Sequence, residues 1–188
     1  MTRRTARSEP RQPRPPMPPG REAVRRAPRI PVTQAPPGAG AGLIAASFAG
    51  TGALGVTAIA AAIAPRTLDA PALVVALAMF FGGTGAFAWA YVIAVGRSRT
   101  EAVAIGGVFG LAGGSTPAPV RVKLLGSLAA EVVLAVVTAA VRPYTSLSFG
   151  ILAPMWGLGI AGVWGARHGG YPPRPADPRR RAPRRPER

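Results

Sequence analysis

The sequence predicts an all-α integral membrane protein: four transmembrane helices folded as two antiparallel hairpins, between disordered basic tails. Three observations predict it. Four apolar runs lie between residues 41 and 166, each near the ~20 residues a helix needs to cross a hydrocarbon core about 30 Å thick. The runs are paired by links of five or six residues, short enough to force antiparallel neighbours. Of the 23 Lys and Arg, all but Arg66 and Arg142 fall in the tails or in one connecting loop.

Residues 1–40 form the first tail, with nine arginines, two glutamates and the proline pairs Pro15-Pro16, Pro18-Pro19 and Pro36-Pro37. Such a segment is too polar to bury a core, and the prolines favour extended, polyproline-like chain. Its opening MTRRTARS invites comparison with a twin-arginine export signal, but the first apolar run begins about forty residues in and outlasts a signal h-region. That run, 41–64, is therefore read as a retained span. Pro65 to Ala70 link it to the second span, 71–95.

A glycine-rich loop, 96–121, follows. Within it Ala102 to Gly114 is apolar, yet those 13 residues include five glycines and are too few to cross. A short helix at the cytoplasmic interface is expected there. The stretch from Ile105 to Thr116 also lacks the lysine and the preceding strand of a phosphate-binding loop. The third span, 122–141, is tied by Arg142 to Ser146 to the fourth, 147–166, and residues 167–188 form a second Arg/Pro-rich tail. Four crossings put both tails and the loop on one side. The positive-inside bias makes that side the cytoplasm, with the protein in the cell (inner) membrane.

Glu131 is the ionisable residue placed well inside a predicted span, about 12 Å from Lys123 and 16 Å from Arg142 along the helix. An acidic side chain at that depth costs about 2.5–3.5 kcal/mol on insertion scales, so it should face the bundle interior and find hydrogen-bond partners. At 100° per residue Ser127, Glu131 and Thr138 share one face. Depth matching adds Thr51 from the first span, Thr84 from the second and Trp156 from the fourth as the expected polar cluster. Pro154 should also leave the Gly150 carbonyl without its helical donor, an acceptor that protonated Glu131 could satisfy.

Gly157, Ala161 and Gly165 form a small-residue ridge on the fourth span, which lets helix backbones approach closely in lipid. Packing within the monomer is the expected use, ahead of a homo-oligomer or a membrane-protein partner. In the second tail Arg179, Arg180, Arg181, Arg184 and Arg185 are expected to meet anionic lipid head groups. They lack the interleaved aromatics of a nucleic-acid surface. With no cysteine and a single histidine, His168, neither a metal site nor a cofactor is expected. No paired carboxylates or serine–base pair points to an enzyme.

The stretch from Phe149 to Gly159, with the exit from Trp164 to Arg174, resembles the last span of small multi-pass membrane proteins of high-GC actinobacteria. That resemblance implies a location and no mechanism. The function expected is a structural or accessory membrane component. The alternative is a small transporter or proton-coupled channel subunit using Glu131.

Overall fold

The structure, a computed structural model, describes residues 35–36, 38–112, 114–141 and 143–174. Residues 1–34 and 175–188 lie outside the described residues, and with them Arg179, Arg180, Arg181, Arg184 and Arg185. Among the described residues the elements are helices, with no strand. The chain runs through α1 (Ala41–Ile63), α2 (Pro65–Arg97), the four-residue α3 (Ile105–Val108) and α4 (Ala118–Val141), then a 3₁₀ segment (Ser146–Leu152) and α5 (Met155–His168). Among the described residues four helical stretches are long and apolar enough to cross a membrane, the last, Ser148–His168, joining most of the 3₁₀ segment to α5. The protein is thus a membrane protein of the expected all-α class.

Two boundaries differ from the sequence reading. The link expected over 65–70 is helical, and Ala64 alone separates α1 from α2. Pro65 occupies the first position of α2, where its fixed φ suits a helix and its missing N–H would have had no intrahelical partner. Thr67 and Leu68 both donate to the Ala64 carbonyl, which closes the first turn. The fourth span is not one continuous α-helix. Around Pro154, which has no N–H to give, the chain winds as 3₁₀ up to Leu152 and restarts as α-helix at Met155.

Packing is organised around α5, which touches α1, α2, α3 and α4, while α1 also touches α2 and α4. Residues 159–166 of α5 are buried without interruption. Leu124, Ile160, Ala161 and Trp164 pack with Leu111, and Ala90, Val163 and Ala166 with Val108. On the outside, Val56, Ile59, Val74, Phe81, Val92 and Val133 are exposed, an apolar exterior suited to lipid tails.

At the end of the bundle that carries Arg97, Arg121 and Lys123, the loop forms a short helix as expected, α3, and it packs against α5. Val108 and Leu111 are buried against the bundle, because Gly165 has no Cβ to keep the Val108 carbonyl away. The exit segment then folds back along the loop, with Ala102 N–H donating to Pro172 O and Arg174 N–H to Thr100 O. Arg97 clamps this arrangement. Its Nη1 donates to Ala166 O at 2.7 Å and its Nη2 to Gly169 O at 2.9 Å, serving carbonyls that the end of α5 leaves free. Glu101 pairs with the same guanidinium at 2.7 Å, and the Tyr171 ring lies 5.0 Å from it. Burial pushes the Tyr171 phenol above its usual range, with Arg97 opposing, and its hydroxyl donates to Gly165 O.

Candidate functional site: a carboxyl at a broken helix

Leu124, Ser127, Glu131 and Ala135 form the buried stripe of α4, spaced at three and four residues as one helical face requires. Glu131 is fully buried, midway along the span. Its surroundings come from two other helices.

The first is α1, which runs parallel to α4 in a register offset of about eighty residues. Ser47 meets Ser127, and Thr51 meets both Ser127 and Glu131. Gly55 lies opposite Leu134. Ser47 Oγ donates to Ser127 Oγ at 2.9 Å, Ser127 Oγ and Thr51 Oγ1 are 2.6 Å apart, and Thr51 Oγ1 donates to Glu131 Oε1 at 3.0 Å. Each of the three hydroxyls can therefore give one hydrogen bond, and Ser127 and Thr51 each also receive one, in the single direction Ser47 to Ser127 to Thr51 to Glu131.

The second is α5. Its first-turn amides lack intrahelical acceptors, and the break at Pro154 places that turn inside the bundle rather than at its end. Gly157, the third residue of α5, donates its N–H to Glu131 Oε2 at 3.0 Å. The carboxyl is thus an N-cap supplied from another helix, lying where the dipole of α5 is positive. Both oxygens have donors, and among the described residues no basic side chain takes part. Gly157 is required by the geometry, because a Cβ there would stand 2.7 Å from Glu131 Oε2 and 3.2 Å from Leu128 Cα.

The structure brings together Glu131, Ser127 and Thr51 as expected, and adds Ser47. Its signal lay in the spacing: Ser47 precedes Thr51 by one turn, as Ser127 precedes Glu131. The other expected members do not join. Thr84 is on the exposed side of α2 and donates to Phe80 O in its own helix. Thr138 donates to Leu134 O and Ala135 O, also in its own helix. The Gly150 carbonyl is taken by Ala153 N–H, which the 3₁₀ winding supplies, so Glu131 does not serve it. Trp156 donates from Nε1 to Ala46 O at 3.0 Å, and its ring fits where Gly50 and Gly82 lack a Cβ. Trp156→Phe should lower stability by about 0.5–1.5 kcal/mol, the usual net value of one hydrogen bond, read as a shift in detergent-induced unfolding.

The small-residue ridge packs inside the monomer. Gly157 abuts Leu128, Ala161 belongs to the core around Leu124 and Trp164, and Gly165 abuts Val108. Chemically, the arrangement can hold one proton at Glu131 and transmit a reversal of hydrogen bonding through three hydroxyls without moving heavy atoms. Ser47 at its far end is fully buried, so the chain closes inside the protein. Comparison with family models, with curated proteins and with solved structures returns no match.

Proposed function

We propose that the protein is a structural or accessory component of the cell membrane, non-enzymatic, with both termini in the cytoplasm and its basic tails against anionic head groups. The single observation that carries this reading is the engagement of both Glu131 oxygens, one by Thr51 and one by Gly157. A carboxyl whose two oxygens are both engaged by neighbouring helices serves as a joint between α1, α4 and α5. Hydrogen bonds of this kind contribute about 0.6–2 kcal/mol each between helices in lipid. The positive-inside bias supports the orientation, since Arg97, Arg99, Arg121, Lys123, Arg167 and Arg174 all belong to the loop, the root of α4 or the exit segment.

A specific observation favours a second reading, proton-coupled transport. Ser47, Ser127, Thr51 and Glu131 are linked by oxygen-to-oxygen steps of 3.0 Å or less. The two readings part in liposomes carrying a pH gradient. On the structural reading, vesicles with the wild-type chain and with Glu131→Gln dissipate the gradient at the rate of empty vesicles. A flux present in wild type and lost in Glu131→Gln would replace that reading with transport. Because the chain has no cysteine, single cysteines introduced in 1–34 and 175–188 report orientation directly. Both should be labelled from the cytoplasmic side only.

A further inference from the structure

The parallel seam between α1 and α4 opens, where both helices begin, into a cavity of about 490 Å³. That volume lies within the range of small-molecule sites. Ile44, Pro117, Val120 and Trp164 give it apolar walls, and Lys123 is its charged lining residue. The Trp164 indole N–H is already donated to Ala39 O, so the ring offers its apolar surface. Lys123 is exposed and has no carboxylate partner among the described residues. Glu101, the acid at this end, is held by Arg97. Thr116, one residue before the Pro117 wall and not itself in the lining, buries a hydroxyl with no hydrogen-bond partner among the described residues. One turn deeper than Ile44 along α1, Phe48 is half exposed, and Val122 beside Lys123 is exposed as well. Apolar surface therefore continues from the cavity toward the hydrocarbon.

We propose that this cavity binds the head group of one anionic phospholipid, with the phosphate against the Lys123 ammonium and the glycerol end against Ile44, Val120 and Trp164. A cation that stands alone among the described lining residues of an apolar-walled cleft is complementary to a phosphodiester that carries acyl chains. A free phosphate ester has no use for the walls, and a zwitterionic lipid presents its own cation to Lys123. The inference rests on the proposed cytoplasmic placement of this end, where anionic lipid is concentrated, but it is distinct from the diffuse attraction of the tails.

The test is native mass spectrometry of the full chain released from micelles containing equal phosphatidylglycerol and phosphatidylcholine. Wild type should retain one phosphatidylglycerol in preference to phosphatidylcholine. Lys123→Gln should lower that retention about fivefold, the ratio equivalent to the ~1 kcal/mol of one basic side chain near an anionic surface. Arg121→Gln, a neighbouring base outside the cavity, should leave it unchanged. Removing 175–188 should weaken binding to anionic vesicles at low salt and spare the retained lipid. Unchanged retention in Lys123→Gln, equal loss in Arg121→Gln, or equal retention of phosphatidylcholine would overturn the site. Retention of added glycerol 3-phosphate in place of lipid would overturn the choice of ligand. A failure of orientation shows separately, in the cysteine labelling, and leaves the lipid measurement readable.

Discussion

Glu131→Leu should destabilise the bundle by about 1–3 kcal/mol, while Glu131→Gln should stay within about 1 kcal/mol of wild type. Leucine strands the Gly157 N–H, since α5 offers that first-turn amide no acceptor of its own. An unsatisfied buried donor costs about 1–3 kcal/mol. Thr51 suffers less, because its hydroxyl can turn to Ser47 O, 3.1 Å away. Glutamine keeps the network whole by reversing part of it. Its amide oxygen takes the Gly157 N–H, and its amide nitrogen donates to Thr51 Oγ1. Thr51 then donates to Ser47 O or to Ser127 Oγ. Only rotatable hydroxyls have to turn. Reversible unfolding in mixed micelles reads both variants. A glutamine variant as unstable as the leucine one would mean that a negative charge at the start of α5 matters, and hydrogen bonding alone could no longer account for the joint.

How much of this was legible in the sequence depends on what each signal measures. Apolar run length measures whether a helix can cross, and it located all four spans. Depth along a span says nothing of azimuth. Thr51 and Thr84 lie at similar depth, yet Thr51 faces α4 while Thr84 faces outward and bonds its own helix. Ser127 and Glu131 were read correctly because they share one helix, where 100° per residue fixes their relative direction. The partner helices could not be read that way, so the parallel offset of α1 against α4, and Ser47 with it, stayed hidden. Pro154 was visible as a disturbance. Its outcome was not, because the chain could either leave the Gly150 carbonyl free or tighten into 3₁₀ turns. Tightening satisfied Gly150 from Ala153 and moved the unpaired group to the other side of the break, the Gly157 N–H. Sequence periodicity does not register that exchange. The polar stretch Pro65 to Ala70 interrupts the apolar runs and so was read as a link, but Pro65 at the first helical position is compatible with a helix, and the segment is helical with Pro71 inside it.

Gly83→Ala should cost more than its size suggests, and Gly85→Ala, two residues away, should cost nothing. A Cβ at Gly83 would fall on the Met155 carbonyl and the Trp156 amide nitrogen, and a Cβ at Gly159 on the Gly83 carbonyl. The two glycines are reciprocal: α2 and α5 touch backbone to backbone at the start of α5. Backbone cannot rotate aside as a side chain can, so an added methyl must push the first turn of α5 away from α2. Overpacking of this kind costs about 1–3 kcal/mol, occasionally more. Gly85 meets nothing within 4 Å, and alanine there gains helix propensity of up to about 1 kcal/mol. The same micelle unfolding measures both, and equal effects at the two positions would refute the close approach. The displaced turn also carries the Gly157 N–H. Gly83→Ala and Glu131→Leu should therefore be non-additive, the double variant losing less than the sum of the two, because either change alone already separates Glu131 from its donor. Simple additivity would show that the α2–α5 contact and the carboxyl act on α5 independently, and the joint between helices would have to be assigned to packing alone.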